Sequence, residues 1–210
     1  MLQIHDLTEL SPDYLPCEFR IKWADAGWEI AQARRLRRAV FCIEQGVFVG
    51  DDLDVIDSHA QLLVAVAQVG GMPDQVVGTV RIHHDTDGLW WGSRLAVHPA
   101  YRHLGRIGAT LIRLAVCSAH ARGAVVFLAH VQAQNEAMFQ KLAWQTLKQE
   151  QVHGRPHVLM QVDLAAYPPC HDPITGFVTQ ARASARPAAL LPPPTAPASP
   201  ASPAVTEPAP

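Results

Sequence analysis

The 210-residue chain has no excess of charge of either sign: 17 basic side chains stand against 19 acidic ones, for a formal net charge of −2. That balance argues against a protein built mainly to hold nucleic acid, which would need a basic face. No run of 18 apolar residues occurs, so no membrane span is expected. The opening residues, MLQIHDLTELSPDY, carry acids where a secretory leader would be basic and then apolar. Cysteine is scarce: Cys17, Cys42, Cys117 and Cys170 form no CxxC pair and have no disulfide-like density, which points to a reducing cytoplasm. Aromatic residues make up 7% of the chain, against 17 prolines.

The prolines are unevenly placed. Nine of the 17 fall within residues 186–210, together with seven alanines. Such a segment cannot repay the entropy of ordering itself, so a disordered tail, partly polyproline II, is expected there. The hydrophobic share of 49% then belongs to a domain large enough to bury a core. The expected division is an N-terminal extension over residues 1–17, one domain over 18–167, and a Pro/Ala-rich tail over 168–210, with Pro168-Pro169 marking the exit.

The hydrophobic period alternates between helix and strand. Residues 19–23 alternate as a first strand, and 28–45 follow a helical face interrupted by arginines. Strands are expected over 61–69 and 75–83, joined by the turn residues 70–74, and over 89–97 after the Asp87-Gly88 turn. A helix over 105–121, stopped by Arg122-Gly123, leads to a buried strand over 125–131. A brief helix over 135–142 and strands over 144–151 and 156–164 close the domain.

The stretch RLAVHPAYRHLGRIGATLIRLA carries the first chemistry. Gly105 and Gly108 let backbone approach a ligand, the following helix offers unpaired N–H groups, and Arg102 and Arg106 add positive charge. This combination suits a phosphate or pyrophosphate, although an ordinary strand-to-helix turn would read similarly. It is neither a Walker loop nor a GxGxxG fingerprint.

The same stretch resembles the coenzyme A-binding segment of the GCN5-related N-acetyltransferases (GNAT), in which a strand ending L-x-V precedes R/Q-x-x-G-x-G/A and a helix. Arg102 and Gly105 match the first fixed positions; Ile107 takes the third, with Gly108 one step later. RAVFCIEQGV, VQAQNEAMFQKLAW and GRPHVLM are similar, in that order, to signatures of the ElaA-like branch of this superfamily, and the nearest likeness is to a bacterial subgroup encoded in nitrilase-containing clusters. The resemblance implies an α/β (α+β) GNAT fold, a mixed and mostly antiparallel sheet with helices on both faces. It also implies acetyl-CoA as co-substrate, no metal, and an N-acetyltransferase acting on a primary amine, most simply of a small molecule. A homodimer is compatible with it. The pyrophosphate would meet the backbone of Arg102, Gly105, Arg106, Ile107, Gly108 and Ala109. The pantetheine arm would pair with Leu95, Ala96 and Val97, and the amine would attack the thioester directly. A longer acyl donor, or acyl-CoA binding without turnover, are the alternatives. The second draws on Phe139, which stands where many relatives have a proton-donating tyrosine.

Three residues are candidates for handling the acceptor's proton. Glu44 ends a helix, and burial could raise its pKa towards neutrality; it could equally pair with Arg37 or Arg38. His130 lies on the strand flanking the expected cofactor and His157 in the GRPH motif; either could instead be a hydrogen-bonded core or rim residue. Asp51, Asp52, Asp54 and Asp57 read as a solvated loop, or as a rim attracting a cationic amine, and lack the pattern of a calcium loop. Alternation directs one of Trp90 and Trp91 into the core and the other toward the cleft.

Overall fold

A computed structural model describes residues 15–104 and 106–181. Runs of β-branched and aromatic residues at period two build eight strands: β1 (Glu18–Trp23), β2 (Gln61–Val69), β3 (Met72–Thr86), β4 (Leu89–Val97), β5 (Val126–Gln132), β6 (Trp144–Val152), β7 (Arg155–Val162) and β8 (Phe177–Gln180). The helices are α1 (Gly27–Arg37), α2 (Ile107–His120) and the short α3 (Glu136–Gln140). The strands form one sheet in the order β6-β7-β5-β4-β3-β2-β1-β8. Every neighbouring pair is antiparallel except β4 and β5, which run parallel and are joined by the α2 crossover.

The sheet separates two cores. On one face α2 places Ile107, Leu111, Leu114 and Val116 against Phe19, Ile21, Leu63 and Ile82, all essentially without solvent contact. Each fully buried aliphatic side chain contributes about 2 kcal/mol here. The approach is close enough that a Cβ on Gly78 of β3 would stand 2.9 Å from Leu111. On the other face Ala33, Leu36, Val40 and Phe41 pack on Val64, Val66, Val76 and Ala96. This is the mixed, mostly antiparallel sheet with helices on both faces that the family resemblance implied.

Three local features differ from the sequence reading. The turn before β3 is only Gly70-Gly71, both at positive φ, and β3 already begins at Met72. Pro73 is tolerated because it pairs only with Gln68 of β2, and β4 first pairs with β3 at Gly78, so the missing N–H faces no strand. The expected helix over 28–45 changes winding at Arg38, where seven residues, Arg38–Glu44, form a π-helix, with the Gln45 N–H donating to the Val40 carbonyl. Finally, residues 168–181, assigned above to the tail, return to the sheet. There β8 pairs antiparallel with β1, and the Trp23 N–H donates to the Pro173 carbonyl. The rest of the expected extension and tail, residues 1–14 and 182–210, lies outside the described residues, as does Gly105.

Candidate active site

The parallel pairing of β4 and β5 runs only from Leu89↔Val126 to Gly92↔Ala129. Beyond it β5 stays with β7 through Gln132↔His157, while β4 stays with β3 through Val97↔Gly78, so the two strands part. At the fork β4 carries one residue more than β3: the register jumps from Arg81↔Ser93 to Thr79↔Ala96, and Arg94 takes φ 54°. Such a bulge bends a strand and re-aims its backbone groups. Between the parted strands lies a cavity of about 860 Å³. It passes from Ile112 and Val116 of α2 on one face of the sheet to Phe41, Phe48 and Trp91 on the other.

At the β4–α2 end, Pro99–Tyr101 form a 3-10 turn before α2, and the chain enters the helix through Arg106 in the left-handed region (φ 55°). The Ile107 side chain is 2% exposed and anchors the loop in the core; its contribution to a ligand is therefore its backbone N–H. The N–H groups of Ile107, Gly108 and Ala109 open the first turn of α2 and have no acceptor within the helix. Arg102 donates from Nε to the Val97 carbonyl at 3.0 Å, which ties the loop to the end of β4. Its two terminal nitrogens grip Glu44. Leu95 lines the cavity and Ala96 is buried against the α1 face.

Glu44 does not behave as a general base would. It is not among the cavity-lining residues, and the Arg102 guanidinium holds its carboxyl below the usual carboxylate range, opposite to the expected rise. Its partner is Arg102, at the β4 arm of the fork, rather than Arg37 or Arg38. Gln45, the next residue, reaches the other arm of the fork: its Oε1 accepts from Gln132 Nε2 at 2.9 Å, and its carbonyl accepts from Arg155 Nη2. The end of the π-helix therefore straddles the split, one side chain on each bank.

Six of the 11 histidines, at positions 59, 83, 84, 130, 153 and 157, line the cavity. His130 is the first residue of β5 beyond the last β4–β5 pair, and its ring lies flat on Trp91, 5.2 Å between centroids at an interplanar angle of 7°. Trp91 thus faces the cleft while Trp90 packs on the core, the division expected from alternation. His157 Nδ1 lies 2.9 Å from the Arg155 carbonyl. That carbonyl can only accept, so Nδ1 is a nitrogen that carries a proton. His83 is pushed toward its neutral form by burial and by nearby Arg81, and its Nδ1 is buried with no partner among the described residues. Phe139 sits in the cavity wall with its edge against Trp144, so no hydroxyl is present there. Tyr167 is no substitute, since its hydroxyl donates to the Leu142 carbonyl at 2.5 Å.

Of the acidic run, Asp51 stays exposed and accepts from the Leu53 N–H, whereas the other three aspartates are not a solvated rim. Asp52 accepts from Arg37 at 2.8 Å and Arg94 at 3.0 Å; Asp57 bridges Arg37 (2.5 Å) and Arg81 (2.7 Å); Asp54 takes Arg81 (2.6 Å) and Arg94 (3.0 Å). Three aspartates thus neutralise three arginines, and Arg37, Arg81 and Asp52 are 2% exposed or less. The network pins the loop after the π-helix onto β3 and β4, where Leu53, Asp54 and Ile56 form part of the cavity wall. None of these three carboxylates is free to attract an amine.

The family model described as "Acetyltransferase (GNAT) domain" matches residues 58–146. A protein of Bacillus subtilis (strain 168) assigned to the acetyltransferases is 31% identical over 136 residues, 63% of this chain and 88% of that protein. The chain belongs to the GNAT acetyltransferases. An N-acetyltransferase structure from Lactobacillus plantarum superposes with a TM-score of 0.62 at 25% identity, over 70% of this chain and 98% of the other. Escherichia coli ElaA shares the fold, with a TM-score of 0.55 and 19% identity over 69% of this chain and 99% of its own.

For this GNAT acetyltransferase the sequence motifs located both banks of the fork, and geometry supplied the cavity between them. Glu44 and Arg102 pair beside the loop that leads into α2, outside the cavity wall, while His130 and His157 line the cavity. Sequence reasoning missed Gln45, Gln132 and the three arginines of the buried network. The EQ pair was the available signal for Gln45. No local pattern marked Arg37, Arg81 or Arg94, whose partners lie 15 to 42 residues away.

Proposed function

We propose that this enzyme transfers the acetyl group of acetyl-CoA to the primary amine of a small molecule by direct attack, and that the fork between β4 and β5 is where the two meet. The supporting observation is that the fork offers two chemically different surfaces. The first turn of α2, outside the cavity wall, has free N–H groups beside Arg102 and Arg106, which suits a pyrophosphate; the cavity itself is walled by aromatic rings and imidazoles, which suits an organic amine. Between them the β4 edge over Leu95, Ala96 and Val97 faces no strand on the β5 side, so an extended arm can add there as a strand would. Acetyl-CoA, when bound, supplies the activated thioester carbonyl.

The chain's own residues do the rest. A backbone N–H of β4 beside the bulge at Arg94 polarises the thioester carbonyl. Trp91 and Phe48 exclude water around the amine. His130, first beyond the fork, takes the amine's proton as the N–C bond forms and the C–S bond breaks with the sulfur leaving as thiolate. With no tyrosine lining the cavity among the described residues, that thiolate takes its proton from water.

The test is release of CoA thiol from acetyl-CoA with ethanolamine, n-butylamine, benzylamine, tyramine and spermidine, with product masses read by mass spectrometry. A 42-dalton gain (roughly one acetyl group) on at least one amine is expected. Turnover with hexanoyl-CoA but not acetyl-CoA would replace the donor, and no thiol release with any amine and either donor would leave a binding module.

A further inference from the structure

Glu150 stands on β6, one strand beyond β7, and is not itself part of the cavity wall. Its Oε1 is nevertheless buried and has no hydrogen-bond partner among the described residues. A buried carboxylate oxygen without a donor is costly, and its presence calls for an explanation. The group nearest it on the cavity side is His130: Nδ1 lies 3.7 Å from Oε1, across β7. Lys148, on the same strand and 63% exposed, forms an ion pair with that oxygen from the solvent side at 3.5 Å.

The register explains why these two side chains meet. His130 pairs with Leu159 of β7, which pairs with Lys148 of β6; Gln132 pairs with His157, which pairs with Glu150. His130 and Glu150 therefore stand on the same face of the sheet, two strands and two residues apart, and their side chains reach over β7 to within 3.7 Å. Trp91 stacks on the imidazole and fixes its plane, so the ring's remaining freedom is which nitrogen faces which way.

We propose that Glu150 is the positioning residue for His130: its carboxylate accepts from Nδ1–H and so leaves the Nε2 lone pair facing the cavity, where the acceptor amine arrives. This rests on His130 being the proton acceptor, as argued above. The 3.7 Å separation is longer than a hydrogen bond and closes with a small movement of either side chain. Glu150 touches no substrate; it selects a tautomer and compensates the imidazolium that forms.

The test separates this role from the one it rests on. In ¹⁵N-histidine-labelled protein without ligands, ring-nitrogen shifts report His130 as the Nδ1–H tautomer in the native chain and as a mixture in Glu150→Ala. Glu150→Gln, which keeps an acceptor oxygen, restores the Nδ1–H form. In turnover with acetyl-CoA and the fastest amine of the panel above, His130→Gln lowers kcat on the order of a hundredfold. Glu150→Ala lowers it about tenfold with the acetyl-CoA KM unchanged, and costs nothing further in the His130→Gln background. An unchanged tautomer, or the same tenfold cost in both backgrounds, would overturn the assignment of Glu150. Full activity of His130→Gln would instead remove His130 as base, while the tautomer measurement would still read the contact. If Glu150→Ala does not fold, Glu150→Leu removes the acceptor while filling the space.

Discussion

The Glu44 carboxylate and the Arg102 guanidinium meet end-on on the β4 side of the fork, Oε1 2.8 Å from Nη1 and Oε2 2.6 Å from Nη2, although 58 residues separate them in the chain. Arg102 is also the side chain best placed to bind a pyrophosphate at the α2 N-terminus, so its present partner is one that an anion must displace. Both side chains are more than a third exposed, and an exposed pair is worth about 0.5 kcal/mol. Glu44→Gln is therefore expected to tighten acetyl-CoA binding about two- to threefold in calorimetry and to leave kcat within twofold. A large fall in kcat at saturating acetyl-CoA would return Glu44 to the chemistry.

Replacing the cations themselves should act in the opposite direction. Arg102→Ala removes a charge-assisted contact worth about 1.5 kcal/mol or more, so the acetyl-CoA Kd should rise on the order of tenfold. Adding Arg106→Ala should raise it further and flatten its dependence on salt, because fewer charges face the phosphates. Thermal melting should stay close to native, since neither side chain is buried. Unchanged affinity in the double variant would place the pyrophosphate elsewhere.

The buried Asp–Arg network should govern stability and acid tolerance. Burial pushes the Asp57 carboxyl up, but the Arg37 hydrogen bond, the Asp54 backbone N–H and the Arg81 charge outweigh it and hold it at about 2, below its ordinary 3.8. A carboxyl lowered in the folded state stabilises fully above its unfolded value, so this contribution is intact above about pH 4 and is lost as pH falls toward about 2. Asp57→Asn leaves Arg37 and Arg81, almost wholly buried, short of a counter-charge. Such a loss costs about 3 kcal/mol, or roughly 10 °C in Tm for a domain of this size. Urea melts across pH 2–7 should show a steeper acid limb in the native chain than in the variant; parallel limbs would locate the acid sensitivity elsewhere.

What the sequence revealed and what it hid follows from how local each signal is. The strands were legible because the alternation of Phe19–Ile21 and the short continuous apolar run of β2, buried on both faces, report a strand without knowledge of its partner. The same alternation turned Trp91 toward the cleft. The stack of His130 on Trp91 was not legible, since it depends on the β4–β5 register, which no residue on either strand encodes alone. The winding change at Arg38 was hidden because Val40, Phe41 and Ile43 satisfy a helical stripe at either pitch, yet the wider turn decides that Glu44 and Gln45 part to opposite banks. The aspartates read as solvated because their arginines come from α1, β3 and β4.

The last strand gives a prediction about where the folded unit ends. Pro168-Pro169 reads as an exit, but beyond it the Cys170 N–H donates to the Cys117 carbonyl, the Ala181 N–H to the Cys17 carbonyl, and Phe177 lies under the Arg113 guanidinium at 5.6 Å. β8 covers the outer edge of β1, whose backbone groups would otherwise face water. Its approach depends on Gly176, which sits at φ 63° directly against the Ile21 carbonyl, so that any Cβ would collide with that oxygen. A chain stopped after Tyr167 should therefore melt at least 5 °C (roughly 2 kcal/mol) below one stopped after Ala181. Gly176→Ala in the longer chain should cost about 2 kcal/mol, combining left-handed strain with the collision. The active-site fork lies on the far side of β2 and β3 from β8, so both variants should keep the acetyl-CoA Kd of the native chain at temperatures where they remain folded. Equal melting of the two truncated chains would return the boundary to Tyr167.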